Sequence, residues 1–416
     1  MVTVDKPARS RHTVPMEPLP RRPIVLGPAR ALAYLRVFAV VNLASLLWLL
    51  IGSHGGIDRN GFLVGTDFLS FWTTGRMLHG HHDPYDLAAH IAAQRAFFAP
   101  PDGFTAFFYP PVFLPLCWLL GWPGYFAALG GWLAITGSIC FAALQAWWRR
   151  AGLGRHAALA ALAFPPVVIV CTHGQSAFLV AGLLALGLIL VPERKAIAGI
   201  LLGLATIKPQ FGLLVPIALL ASREGQVIGF AVLGALALCA LTTLAFGAMV
   251  WPHWLTLSDE ARTVLDAGAV GYAKMASPFA AMRLLGASLG LAYGIQAIVS
   301  LAVAGAVGWT AWRGGYTQGL AALVLAGAPL ATPFVFDYDL VLLGFPLVWL
   351  VGQGLARGWA DWEKPGVAMA FAVPAFARGL AMHLPVPLLA PVLMGLFALV
   401  WRRALSQIPR SQMQGT

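Results

Sequence analysis

Residues 37–52, VFAVVNLASLLWLLIG, run for sixteen positions without an ionisable side chain. With the four residues before them they reach about 20 residues, enough at ~1.5 Å per residue to cross a hydrocarbon core of ~30 Å. Apolar stretches of similar length recur along almost the whole 416-residue chain, which is 59% hydrophobic and only 10% charged. Soluble domains carry about 25% charged residues, so that class is excluded. In lipid every backbone polar group has to be satisfied internally, which leaves helices or a closed barrel. The runs are continuous and show no strand-like alternation, so a barrel is excluded as well. The sequence predicts an all-α polytopic membrane protein.

Charge sets the direction of threading. Lys6, Arg9, Arg11, Arg21, Arg22, Arg30 and Arg36 precede or open the first helix (33–52) and place the N-terminus in the cytoplasm. No small-residue cleavage site follows, so this helix reads as an uncleaved start-transfer segment. Residues 53–123 then form a long outer segment. Helices follow over 124–148, 156–172, 176–191, 195–207, 211–222, 226–247, 288–312, 317–334, 340–354, 366–382 and 386–401, with a second outer loop over 248–287. That makes about twelve helices with both chain ends inside. Of 27 Lys+Arg, 19 fall on the inner side, against 6 of 16 Asp+Glu. The stretch YPPVFLPLCWLLGW (109–122) is expected to be interfacial or re-entrant. It holds three prolines, and counting it as a span would turn Arg149, Arg150 and Arg155 outward. Residues 1–30 read as a disordered basic tail, 31–403 as the transmembrane domain and 404–416 as a second cytoplasmic tail.

The net charge of +11 is scattered in short segments between apolar runs, which leaves no folded basic face for nucleic acid. Cys117, Cys140, Cys171 and Cys239 are far apart and form no CxxC, so they indicate neither a zinc site nor a disulfide framework.

The ionisable residues that remain gather on one side. Asp58, Asp67, Asp83, Asp86 and Asp102 lie on the first outer segment. Asp259, Glu260 and Asp266 lie on the second, and Asp337 and Asp339 at an outer helix junction. Asp67 stands out, since DFLSFWTTGRML (67–78) has Phe68, Phe71 and Trp72 at helical spacing and reads as an amphipathic helix lying on the membrane. Asp67 is then either the helix cap or a partly desolvated general base. HGHHDPYD (79–86) offers His79, His81, His82 and Asp83, but tight spacing without a second distant ligand cluster is a weak metal signature. Lys208 sits at the turn of a hairpin whose arms of about 13 residues reach only roughly 20 Å. A lysine at that depth either snorkels or faces a hydrated cavity or an anion.

Five motifs in order, TDFLSFW with DPYD (66–72, 83–86), FFYPPVFLPL (107–116), HGQSAFLVAGLLAL (173–186), GLATIKPQFGLLVPIALL (203–220) and LATPFVFDYDLVLL (330–343), resemble the family-87 glycosyltransferases. The likeness runs from about residue 60 to 350. It implies a GT-C fold and a polyprenyl-phosphate-linked sugar donor, mannose in that family. It also implies a lipid or glycan acceptor and a multi-pass location in the plasma (inner) membrane, with the active site facing the periplasm or exterior. By the same resemblance Asp67 is the catalytic aspartate, and no cofactor or metal is needed. Characterised members carry a histidine motif at the later junction where this chain has FDYDL, so any role there passes to Tyr338 and Asp339. Lys208, with Arg283 and Arg76 as helpers, is the candidate for the donor phosphate. Tyr109, Gln175, Asp83 and Tyr85 are further candidates for binding substrate. A phosphate leaving group needs no protonation, so one carboxylate base suffices, without the paired carboxylates of glycosidases. The rival readings are a transporter or flippase of lipid-linked sugar, a GT-C enzyme of different reaction, and a non-catalytic scaffold.

Overall fold

In a computed structural model of the protein, residues 27–99 and 104–408 are described. Most of both predicted tails, and Asp102, lie outside them. Among the described residues the chain forms nineteen α-helices, linked by loops and 3-10 turns, with isolated bridges and no strand. The all-helical expectation holds. The helices are α1 (Pro28–Gly52), α2 (Phe68–His79), α3 (Leu87–Phe97), α4 (Leu114–Leu120), α5 (Tyr125–Arg150), α6 (Ala157–Ala163) and α7 (Pro165–His173). Next come α8 (Ala177–Leu190), α9 (Lys195–Leu204), α10 (Leu214–Ala221), α11 (Gly225–Phe246), α12 (Val250–Asp266) and α13 (Pro278–Leu284). The chain ends with α14 (Leu289–Gly314), α15 (Gln318–Gly327), α16 (Gly344–Arg357), α17 (Glu363–Ala372), α18 (Ala377–His383) and α19 (Leu389–Leu405).

The predicted crossings are present as helical segments, but few are continuous. Five are long and apolar enough to cross a membrane unbroken: α1, α5, α11, α14 and Asp337–Arg357, whose second part is α16. A sixth forms if α17 and α18, bent by 61° at their junction, count as one span. Proline supplies the breaks, because it lacks the N–H and its ring clashes with the preceding turn. Pro165 opens α7 directly after α6, Pro209 opens the 3-10 turn between α9 and α10, and Pro374 lies in the bend between α17 and α18. The stretch 109–122 contains only Pro111–Leu120 as helix, about 15 Å at ~1.5 Å per residue, which is too short to cross alone. The second outer loop is not loop throughout, since residues 250–266 form α12, with Asp259 and Glu260 within it. Its buried Val250, Leu257, Ala261 and Leu265 recur at helical spacing.

Helices α8 and α15 are buried almost all round and form the centre of the bundle, whereas most of α1 is exposed and suits a lipid-facing position. The α9–α11 contact is close because a Cβ at Gly203 would meet the Ala231 carbonyl oxygen at 2.3 Å, and one at Gly199 the Val227 oxygen at 2.5 Å. This is the small-residue packing that the Gly199–Gly203 spacing predicts.

Helix α2 does not lie on the membrane as its amphipathic pattern suggests. Phe68 and Phe71 are fully buried. Phe71 packs edge-on against Tyr109 and Phe113 at 5.1 and 5.0 Å, and Phe68 against Tyr125 at 5.6 Å. Helices α4 and α5 cover the face that lipid was expected to cover. An apolar stripe is the same stripe under either cover.

A buried polar network holds the layer around α2 together. The His90 ring bonds the Thr74 hydroxyl and the Gln94 amide, each at 3.1 Å. Gln94 in turn exchanges two hydrogen bonds with the Thr105 backbone, and the Thr105 hydroxyl donates to the Thr66 carbonyl, next to Asp67. Burial holds the His90 imidazole down at about 4, with the Ser70 backbone opposing. An unfolded histidine takes its proton near 6.5. Stability from this site is therefore complete above that pH and is lost as the pH falls towards 4, by about 3 kcal/mol. Melting curves in detergent between pH 7 and 4.5 should show that fall, and His90→Gln should flatten it. Equal slopes for the two proteins would remove His90 as the cause.

Candidate active site

The segment before α2 is fixed by bonds to the turn after α7. The Gly65 and Asp67 N–H groups donate to the carbonyls of Thr172 and His173, each at 3.0 Å. From α5 the Tyr125 hydroxyl donates to the Gly65 carbonyl at 2.7 Å, and the Trp132 indole to that of Gly174 at 3.0 Å. Gly174 ends α7 at φ +67°, and a Cβ there would meet the Phe68 Cβ at 2.6 Å. Only glycine allows the chain to turn back here at such close range.

Asp67 occupies the N-cap position of α2, but its side chain caps nothing. Its Oδ2 accepts a hydrogen bond from Gln175 Nε2 at 2.9 Å. The other Gln175 amide atom, Oε1, accepts from the Tyr109 hydroxyl at 2.8 Å and from the Ser176 N–H at 2.9 Å. Tyr109 also meets the Ser176 hydroxyl at 2.6 Å. Burial, with added contributions from the charges of Asp339 and Asp67, pushes the Tyr109 phenol well above its ordinary value, while the Ser176 contact pulls the other way. The phenol is therefore neutral and donates. This chain fixes which way the Gln175 amide points, and so fixes one oxygen of Asp67. Tyr109 and Gln175 were expected to bind substrate, but their hydrogen bonds are spent on each other and on Asp67. They are positioning residues in this geometry.

A second group faces the first across Tyr109. Lys208, between the 3-10 turn Ala205–Ile207 and the one that Pro209 opens, is buried and pairs with Asp339 Oδ1 at 2.5 Å. Its ammonium lies 5.0 Å from the Tyr338 ring centroid and 5.4 Å from that of Phe211. The other Asp339 oxygen accepts the Phe336 N–H at 3.1 Å. Lys208 thus neither snorkels nor stands open to an anion, because the protein supplies its counter-ion. The Tyr338 ring stacks on Phe336 and lies 6.1 Å from the His173 ring.

Beyond Tyr338, Asp337 is buried and accepts the Tyr338 N–H on Oδ1, while its Oδ2 has no hydrogen-bond partner. Arg378 Nη1, on α18, lies 3.6 Å from that oxygen and 3.3 Å from His173 Nε2. Arg378, His173, Asp337 and Ser176 complete the cluster and were not among the predicted site residues. A signal existed for one of them, since Arg378 is the lone charge in the apolar run 365–382 and an ionisable group in such a run is itself a pointer to a site.

The remaining candidates lie elsewhere. Asp83 accepts the Tyr85 N–H and pairs with His253 on α12 at 2.5 Å. Tyr85 is buried and donates to the Tyr109 carbonyl at 3.1 Å, and burial foremost raises its phenol. Both support the layer around α2 without reaching the cluster. Arg283 bonds the Tyr272 hydroxyl and the Ala287 carbonyl beside a separate small core. Arg76 is exposed and near Trp72, about 13 Å along α2 from Asp67 at ~1.5 Å per residue. The geometry brings neither arginine to Asp67. The histidines of 79–82 are also apart from it: His79 bonds the Trp118 carbonyl at 3.0 Å, and His81 and His82 are exposed.

Helix direction separates this cluster from three other ion pairs. Helix α5 starts at Tyr125, beside the site, and ends at Arg150, which pairs with Glu193 at 2.7 Å. The pair of Lys195 with Glu224, and that of Arg403 with the fully buried Glu363, lie at the same distant end of the bundle.

Comparison with known families matches residues 107–335 to the model of glycosyltransferase family 87. Asp67 lies ahead of the matched region, and Asp337 and Asp339 just beyond it. Neither a curated protein nor a solved structure matches the chain.

Proposed function

Because the chain belongs to glycosyltransferase family 87, we propose that it moves a sugar, mannose, from a polyprenyl-phosphate donor to a hydroxyl of a lipid or glycan acceptor at the outer face of the plasma membrane. The observation that carries this reading is the state of Asp67. It is half-buried, free of capping duty and held through one oxygen by Gln175. The other oxygen meets only the Thr66 hydroxyl at 3.5 Å, a contact long enough to give way to an acceptor hydroxyl. As the hydroxyl oxygen attacks the anomeric carbon, its proton passes to Asp67. The bond from that carbon to the phosphate oxygen breaks, and the electron pair leaves with polyprenyl phosphate. One displacement inverts the anomeric centre. The leaving group needs no acid, so a single positioned carboxylate with nearby cations is enough.

The broken helices at Lys208 and near Arg378 also suit a carrier of lipid-linked sugar. A carrier moves the lipid without cutting the sugar–phosphate bond, so one assay separates the two. The purified protein is incubated with polyprenyl-phosphate tritiated mannose and an extract of envelope lipids and glycans. Label on the acceptor together with free polyprenyl phosphate is the expected result. Label recovered only on the original carrier overturns the reading. Transfer from a nucleotide sugar without lipid overturns the donor.

A further inference from the structure

Lys208 is poorly placed to hold a phosphate, because its side chain is 8% exposed and already paired at 2.5 Å. Arg378 differs in each respect. Its side chain is 31% exposed, and its contact with Asp337 is a loose 3.6 Å that leaves Asp337 Oδ2 without a hydrogen bond. Its Nη1 is steadied by His173. The Ile169 carbonyl, 2.9 Å from His173 Nδ1, can only accept, so the ring proton sits there and Nε2 offers a lone pair to the guanidinium. Nε and Nη2 of Arg378 have no hydrogen-bond partner among the described residues, so one edge of the fork is open. That edge fits two oxygens of a phosphate at once.

The surroundings are those of a lipid-borne anion. Arg378 follows directly on the 61° bend between α17 and α18, inside an apolar run. A cation at such a break normally faces a polar cavity or a charged partner. On the same helix Ala377 and Ala381 line a small recess whose other walls include the apolar Met275, Leu284, Val386 and Leu388. We propose that Arg378, oriented by His173 and balanced by Asp337, is the receptor for the phosphate of the polyprenyl-phosphate donor, and that Lys208 is not. This rests on the donor class proposed above.

The test is binding of polyprenyl phosphate to the purified full chain, with the corresponding polyprenol as the phosphate-free control. Arg378→Gln alone would strand a buried carboxylate, so the variant is the double change Arg378→Gln with Asp337→Asn, checked by its melting temperature. The parent should prefer polyprenyl phosphate over polyprenol. The double variant should lose that preference, binding polyprenyl phosphate about tenfold more weakly or worse. Arg378→Lys should fall between them, since an ammonium keeps the charge and loses the fork. A folded double variant that discriminates as the parent does would overturn the assignment of Arg378 and leave the donor class standing. A parent that binds both lipids equally would overturn the donor class and this assignment with it.

Discussion

Asp67→Asn should cut turnover by about 10²–10⁴-fold, the usual contribution of a positioned base, while expression and melting temperature stay at the parent's level. Stability should hold because the Asp67 side chain makes no capping bond that could be lost. An asparagine can also keep its oxygen towards Gln175 Nε2, which preserves the 2.9 Å contact. What asparagine cannot do is take the acceptor's proton. The substitution therefore isolates basicity from packing. Measured single-turnover transfer within a few-fold of the parent would rule Asp67 out as the base. Attention would then pass to Asp337 and Asp339, the other carboxylates of the cluster.

Lys208→Met should destabilise the protein by roughly 3–5 kcal/mol, because it leaves the buried Asp339 carboxylate without its cation. That is a large part of the 5–15 kcal/mol by which folded domains typically stand above unfolding, roughly speaking. The double change Lys208→Met with Asp339→Asn removes both charges and keeps an acceptor for the Phe336 N–H. It should recover most of the loss, as replacement of a whole buried pair often costs little. Thermal unfolding of the three proteins in one detergent checks both statements. A single variant that melts with the parent would show that Asp339 does not depend on Lys208. Read from the sequence, Lys208 is the candidate for the donor phosphate. The 2.5 Å pair with Asp339 changes that expectation.

Asp67 and Lys208 were both legible as unusual residues, and for the same reason. Each is an ionisable group where an apolar chain has few, and such a position is costly unless something nearby compensates. The compensating partners were not legible. Lys208 and Asp339 are 131 residues apart, and Asp67 and Gln175 are 108 apart. Nothing in either neighbourhood names the other. The same holds for Arg378, whose partners are His173 on α7 and Asp337 at the later junction. The two arginines that were singled out, Arg76 and Arg283, have the right charge but are held by local contacts elsewhere.

The sequence by itself determined that the protein is helical and membrane-embedded, because apolar runs in lipid admit no other open backbone. Proline is the local cause of the breaks at Pro165, Pro209 and Pro374, yet the apolar runs 156–172 and 366–382 read as unbroken helices from the sequence. Only the tertiary structure decided what covers each apolar face. Phe68 and Phe71 have the spacing of a membrane anchor, yet α5 and the segment leading into α4 bury them. Lipid tails and leucine side chains are equally apolar, so periodicity cannot tell a lipid-facing stripe from a core-facing one. Only the tertiary structure decided the charges as well. Whether a buried cation is a binding site or half of an ion pair depends on which distant carboxylate the fold brings within a few ångströms, and pairing at that range is a property of the packed chain.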